Sequence, residues 1–286
     1  MAPYYQDDSV TLLHGDALTQ ARTLETGSVQ TIVTSPPYFG LRDYGETGQM
    51  GAEASVAEYV ANMVDLFREL RRALADDGTL WLNLGDSYGL SKSLEGIPWR
   101  VALALREDGW VLRSDIIWHK PNPMPESVTD RPTKAHEYLF LLAKSPKYFY
   151  DSEAIKEKSH EAGRVVKEYK TDAKRAGKGE DQRTAPRGGM VVADLKNKRT
   201  VWTVGNVAFA AAHFAVYPPE LIRPCILAGS RPGDTVLDPF SGSGTTGMVS
   251  TQEGRNYVGI DLNSDYLDLS LKTRFSQPVL NFGGVA

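Results

Sequence analysis

Cysteine is almost missing from this chain. Cys225 is the only one in 286 residues, so no internal disulfide can form and a thiolate metal cluster is excluded. The five histidines show no ligand spacing, which predicts no structural metal. No run approaches the ~20 apolar residues of a membrane span. Nor does a basic segment followed by an apolar one stand near the N-terminus, so the expected location is the cytoplasm, away from membrane. What is present is ordinary globular composition, 41% hydrophobic and 24% charged, in a length that buries a large core as one α/β domain with at most a modest insertion.

The net charge of −4 hides an asymmetry. Between Lys156 and Arg199 stand 13 Lys/Arg against 7 Asp/Glu, an excess of +6 that leaves −10 for the remainder. The same stretch, residues 151–200, is polar and Gly-rich and has almost no apolar periodicity. It reads as a flexible insertion or as a region that meets a polyanion. In the second case Lys174, Arg175, Lys178, Arg183, Arg187, Lys196, Lys198 and Arg199 supply contacts to nucleic-acid phosphates.

Around it the chain alternates strands and helices. Within residues 9–18 a short strand ends at His14-Gly15-Asp16, and Thr31 to Thr34, Thr79 to Leu84, Trp110 to Trp118, Asp234 to Asp238 and Asn256 to Ile260 read as further strands. His136 to Ala143 and Lys147 to Tyr150 read as two more, close enough for a hairpin. A helix is expected from Val56 to Asp77-Gly78, with Val56, Tyr59, Val60, Met63, Phe67, Leu70 and Leu74 on one face, and another from Pro218 to Gly229 with Pro224 inside it.

Two strand ends carry chemistry. Thr31 to Thr34 runs into Ser35-Pro36-Pro37-Tyr38, where two prolines end the ladder and force a stiff turn. Ser35 and the Pro36 carbonyl then offer two acceptors beside a flat tyrosine ring, a set that suits a planar ring bearing an exocyclic amine. A plain proline turn with a surface tyrosine is the other reading. Asp234 to Asp238 runs into Gly242, Gly244 and Gly247, followed by a helix, a strand and Asp261. Glycines at such a turn let backbone N–H groups approach an anionic ligand, and an acid after the second strand suits a ribose, so an adenosine-type cofactor is expected without a choice among NAD, ATP or another. Asp16, after the first strand, reads as a ligand acceptor or as a helix cap.

Taken together, Asp238-Pro239-Phe240-Ser241-Gly242-Ser243-Gly244-Thr245-Thr246 and Thr34-Ser35-Pro36-Pro37-Tyr38 resemble the two signature motifs of S-adenosylmethionine-dependent DNA amino-methyltransferases. Their order, target motif first and cofactor motif last, resembles the circularly permuted beta class. The likeness implies a Rossmann-like α/β methyltransferase fold with a mixed, mostly parallel sheet. Residues 1–150 and 201–286 would form one catalytic domain, and 151–200 an inserted target recognition region. It implies Asp238, Pro239, Phe240, Ser241, Gly242, Gly244 and Thr245 as the cofactor loop, Asp261 as the ribose acid, Asp16 at the adenine end, and, on a less specific match, Phe214. Ser35, Pro36, Pro37 and Tyr38 become the active site for direct methyl transfer to a flipped base, with double-stranded DNA as partner.

In this family a serine before the two prolines usually accompanies N4-cytosine methylation and an aspartate N6-adenine methylation, so Ser35 favours cytosine. The resemblance is compatible with a separate cognate restriction endonuclease and with a homodimer. Pro224-Cys225 superficially offers a nucleophile for carbon-5 chemistry, but it falls within an expected apolar helix. Lys120, Arg131, Lys134 and His136 fit phosphate contacts or a solvated edge equally. The rivals are an N6-adenine enzyme, a nicotinamide-dependent oxidoreductase built on Gly242, Gly244, Gly247 and Asp261, and a catalytically silent DNA-binding module.

Overall fold

The computed structural model describes residues 2–41, 45–46, 48–166, 190–191, 193–206 and 217–275. They fall into two units, Met1–Asp151 with Arg199–Ala286, and Ser152–Lys198. The first part of the larger unit holds β1 (Tyr5–Gln6), β2 (Val10–His14), α1 (Ala17–Ala21), β3 (Val29–Thr34), α2 (Val56–Ala73), β4 (Leu74–Leu84), α3 (Ile97–Glu107), β5 (Val111–His119) and β6 (His136–Ala143). The smaller unit holds β7 (Glu157–Lys158), β8 (Val165–Val166), β9 (Met190–Val191) and β10 (Leu195–Lys196). Its strands pair antiparallel, β7 with β10 and β8 with β9. The larger unit resumes with β11 (Val201–Thr203), α4 (Pro219–Gly229), β12 (Thr235–Asp238), α5 (Thr245–Gln252), β13 (Asn256–Asp261) and α6 (Ser264–Ser270), which runs into a π-helical turn, Leu271–Phe275.

One nine-stranded sheet organises the larger unit, in the order β1-β2-β13-β12-β3-β4-β6-β5-β11. The five strands from β2 to β4 run parallel; β6 is antiparallel to both its neighbours, and β1 to β2. The sheet is thus mixed and mostly parallel. From β12 the chain winds through α5 to β13 on one side, and from β3 through α2 to β4 on the other. The crevice above β12 and β3 is therefore the topological switch point, where an open α/β sheet binds its ligand.

Helices cover both faces, so the central strands are continuously apolar rather than alternating: Leu80, Trp81, Leu82 and Leu84 are all fully buried. One face packs against Tyr59, Met63, Leu66, Phe67 and Leu70 of α2 and Ile97, Val101 and Leu105 of α3. Ser55 starts α2 by accepting the Glu58 N–H (3.2 Å), while Glu58 reaches back past the cap to the Ala54 N–H (3.2 Å), which ties the chain entering the helix to its first turn. Helix α3 has Gly96 at its cap and borrows a distant carboxylate instead. Asp86 accepts the N–H groups of Gly96 (3.2 Å) and Ile97 (2.9 Å), which suits the positive end of a helix.

Two expected elements differ. Helix α2 stops at Ala73, not at Asp77-Gly78, because Leu74 turns extended and joins β3 beside Val29. Gly78 permits that approach, since a Cβ there would lie 2.5 Å from Leu74 Cγ and 2.8 Å from the Gln30 carbonyl. Lys147 to Tyr150 form no strand. Strand β6 already has β4 and β5 on its two edges, so no ladder is open to them. Phe149 N–H instead donates to Asp77 (2.8 Å), Asp151 N–H donates to Ala228 (2.9 Å), and Tyr150 stacks on Trp81.

Helix α4 seats its last residue, Gly229, directly on the sheet. A Cβ there would meet Thr31 Oγ1 at 2.6 Å, Thr79 Oγ1 at 2.8 Å and Trp81 Nε1 at 2.9 Å. Gly-to-Ala in a helix usually gains up to ~1 kcal/mol. Gly229→Ala is expected to lose about 1–3 kcal/mol instead, by overpacking. Thermal unfolding tests this, and a raised Tm would show that the α4 face has room to spare.

Candidate active site

Four parallel strands end at one edge, and each delivers a residue singled out in the sequence: β2 leads to Asp16, β13 ends in Asp261, β12 ends in Asp238, and β3 leads into Ser35-Pro36-Pro37-Tyr38. Asp238 joins the last two. It is 1% exposed, and its carboxylate accepts hydrogen bonds from Thr34 Oγ1 (2.7 Å), the Phe240 N–H (3.0 Å), Thr246 Oγ1 (2.6 Å) and Tyr217 OH (2.9 Å). Burial raises its pKa, and these donors oppose the rise. Asp238 therefore lies beneath the glycine loop and shapes it, clamping the end of the target strand to the start of the loop. Tyr217, not noticed in the sequence, also bonds to Thr246, and burial holds its phenol protonated.

The loop itself is held in left-handed backbone at Gly242 (φ 50°) and Gly244 (φ 78°). Gly242 N–H donates to Asp261 Oδ2 (2.7 Å), and Asn263 N–H to Asp261 Oδ1 (2.9 Å). Desolvation pushes Asp261 up to about 6, against the pull of those two N–H groups. Gly247 serves close packing, since a Cβ there would lie 2.5 Å from Tyr257 and Phe275. Among the described residues, Ser243 Oγ and Thr245 Oγ1 are buried without a hydrogen-bond partner. Two orphaned hydroxyls on a glycine loop fit a polar ligand that would satisfy them. Asp16 caps α1, with Oδ1 accepting both the N–H (2.8 Å) and the hydroxyl (2.7 Å) of Thr19; neither bond uses Oδ2. It also borders a cleft of about 790 Å³ that reaches Gly40, Gly51 and Asn62.

At the proline turn the structure adds residues that the sequence reading passed over. Tyr38 OH donates to Glu137 Oε2 (2.6 Å) and accepts from Asn83 Nδ2 (2.7 Å). Asn83 Nδ2 also faces Glu137 Oε2 (3.0 Å) and Ser35 Oγ (3.3 Å), and Ser35 Oγ donates to Tyr38 OH (3.3 Å). Burial and the neighbouring Glu137 charge keep the phenol protonated. Its ring is seated against Gly85, where a Cβ would come within 2.5 Å of it. Tyr59 OH fixes the turn through the Pro37 carbonyl (2.9 Å), while no described residue donates to the Pro36 carbonyl. An acceptor with a free lone pair thus stands beside Ser35.

The basic residues near this turn are engaged. Lys120 pairs with Glu137 Oε1, Arg131 with Glu126 (2.6 Å), and Lys134 donates to the Asp86 carbonyl (2.6 Å). Cys225 is fully buried, with its Sγ 3.6 Å from the Leu221 carbonyl, so it packs in α4 and reaches no substrate. Lys196 pairs with Glu157 (3.5 Å) inside the smaller unit, which also holds Lys198. Arg199 begins the second stretch of the larger unit. Phe214, Lys174, Arg175, Lys178, Arg183 and Arg187 lie outside the described residues.

Residues 29–272 match the family described as DNA methylase, N6 and N4 type. A Type II methyltransferase of Citrobacter freundii, M.Cfr9I, is 48% identical, over 92% of this chain and 87% of its own length. Among solved structures, the PvuII DNA methyltransferase (cytosine-N4-specific) superposes with a TM-score of 0.72 at 19% identity, over 97% of this chain and 90% of that one. A DNA modification methylase of Thermus thermophilus, solved in complex with S-adenosyl-L-methionine, gives 0.63 at 24% identity, over 95% and 96% of the two chains. The family match displaces the nicotinamide reading of the three glycines.

Asp238→Ala would strip the shared acceptor from three hydroxyls and one N–H. A loss of about 3 kcal/mol is expected in denaturant unfolding. A midpoint equal to that of the parent would show that the two loops are held together by something else.

Proposed function

We propose that this chain, which belongs to the DNA methylase family, transfers a methyl group from S-adenosylmethionine to the exocyclic N4 amine of a flipped cytosine in duplex DNA. One observation carries the reading. The Asp238 carboxylate holds the proline turn after β3 and the glycine loop after β12 on the same sheet edge, which supports a reading in which the turn takes the target amine and the loop the cofactor. The cofactor would supply an electrophilic sulfonium methyl.

The chain's own residues do the positioning. Ser243 Oγ, Thr245 Oγ1 and the loop N–H groups would meet the charged amino-acid end of the cofactor, Asp261 its ribose hydroxyls and Asp16 its adenine. Pro239, Phe240 and Ser241 would line the same loop. Ser35 Oγ and the Pro36 carbonyl would accept the two amine hydrogens, which draws the nitrogen lone pair out of conjugation and aims it at the methyl. Pro37 keeps the turn rigid, and the Tyr38 ring lies against the flipped base. Lys196, Lys198 and Arg199, with the basic residues of 174–187, would neutralise DNA phosphates.

Cytosine is favoured by Ser35 before the prolines and by the fold shared with a cytosine-N4-specific enzyme. The Type II relative supports a role beside a separately acting restriction endonuclease.

Purified protein incubated with duplex DNA and S-adenosylmethionine, followed by digestion to nucleosides and mass spectrometry, is expected to yield N4-methylcytosine. N6-methyladenine would overturn the choice of base, and the absence of any methylated nucleoside would overturn the reaction. Asp261 adds a pH dependence. Only its anion can accept from both ribose hydroxyls, so cofactor affinity tightens as pH rises through about 6 and weakens below it. Calorimetry is expected to give a Kd about tenfold weaker at pH 5 than at pH 7.5. A flat Kd across that window would remove Asp261 from the ribose.

A further inference from the structure

Resting on the methyl-transfer reading, we propose that Ser35, Tyr38 and Glu137 form the exit path for the proton the target amine sheds, with Glu137 its final acceptor. When the amine nitrogen takes the methyl, the carbon–sulfur bond breaks with its electron pair moving to sulfur, and the nitrogen is left carrying one proton too many. That proton needs a base. Ser35 is a neutral alcohol, the Pro36 carbonyl and the Asn83 amide are not basic, and the Tyr38 phenol already holds its proton. Among the described residues, the carboxylate in hydrogen-bond continuity with Ser35 is that of Glu137.

The chain of contacts is short. Ser35 Oγ donates to Tyr38 OH at 3.3 Å, and Tyr38 OH to Glu137 Oε2 at 2.6 Å. The amine proton passes to Ser35 Oγ, the serine's own hydrogen to the tyrosine oxygen, and the tyrosine's hydrogen to Glu137 Oε2. Serine and tyrosine finish as they began, each with an exchanged hydrogen. The sulfonium charge and the glutamate charge disappear together, so no net charge is left buried in the crevice. The first step, at 3.3 Å, is the longer of the two and would shorten as a bound amine draws on Ser35.

Asn83 and Lys120 hold the relay in place. Asn83 Nδ2 converges on all three oxygens, Ser35 Oγ (3.3 Å), Tyr38 OH (2.7 Å) and Glu137 Oε2 (3.0 Å). Lys120 takes the other carboxylate oxygen, Oε1, and also lies 4.3 Å over the Trp118 ring. This leaves Oε2 for the incoming proton. Among the described residues, Lys120, Tyr38 and, further off, Lys134 are the titratable groups that face Glu137. The Glu137 side chain keeps 15% of its surface exposed, enough to return the proton to water between turnovers. Glu137 does not touch the amine; it acts through Tyr38.

The test is the single-turnover methylation rate of the full chain on duplex DNA across pH, at S-adenosylmethionine concentrations that saturate the enzyme at every pH so that Asp261 does not shape the profile, with cofactor affinity measured beside it. Glu137→Gln keeps an acceptor for Tyr38 but cannot take a proton. It is expected to slow transfer about 10²-fold, to erase the acid limb of the pH profile and to leave cofactor affinity within about twofold. Tyr38→Phe breaks the same path, so the double variant is expected to be no slower than the slower single one. A Glu137→Gln enzyme with a parental rate or a surviving acid limb would overturn the relay, as would losses that multiply in the double variant. If Glu137→Gln fails to fold, Tyr38→Phe alone decides, since a surviving acid limb there is equally fatal. A parent enzyme that methylates no nucleoside defeats the underlying reading instead.

Discussion

A single buried carboxylate ties together the two loops on which the candidate site depends. Asp238 sits where two strands far apart in the chain come side by side, and its oxygens face donors from both: Thr34 on one side, Phe240 and Thr246 on the other. An anion in so dry a place is tolerable only if its lone pairs are filled, and the four donors fill them. The reciprocal also holds. Three hydroxyls and an amide that would otherwise be stranded in the core are satisfied by one side chain. Charge, burial and geometry thus fix the two loops against each other before any ligand arrives.

The sheet order explains why the order of motifs along the chain is of little physical consequence. A crevice at the switch point needs β12 and β3 as neighbours with carboxyl ends aligned, and parallel pairing of Val236 with Thr31 supplies that. Whether β3 precedes β12 in sequence changes the connections and not the edge. The acid of β13 and the cap residue after β2 are brought in by the same ladder, which pairs Asp261 with His14 two residues before Asp16.

Much of this was legible in the primary structure because local rules wrote it. Two consecutive prolines end a strand whatever surrounds them, spaced glycines announce a loop in left-handed backbone, and the α2 face repeats every three or four residues. Glu137 and Asn83 were not legible, since each is an ordinary residue near an apolar strand whose importance comes from register. Leu82 pairs with Thr34, and Asn83 pairs with Leu139, which sets the amide beside Ser35 and Glu137 beside the amide. An amide within the otherwise apolar run Leu80 to Leu84 was the one available hint, because such a group is rarely buried without purpose. The shortened α2 and the missing strand at Lys147 both follow from sheet pairing: Leu74 had β3 to join, whereas Lys147 to Tyr150 had no free edge of β6.

The Thr34–Asp238 bond spans 204 residues. A ribosome adding about 5–20 residues per second takes on the order of 10–40 s to travel that distance. Throughout that interval the nascent chain carries β3 with β4 available on one flank and nothing yet made for the other. The buried strand Val29–Thr34, with Ile32 and Val33 both destined for the core, is then an open, sticky edge. Synthesis of this protein therefore includes a window of vulnerability to aggregation, closed only when β12 arrives and slots in.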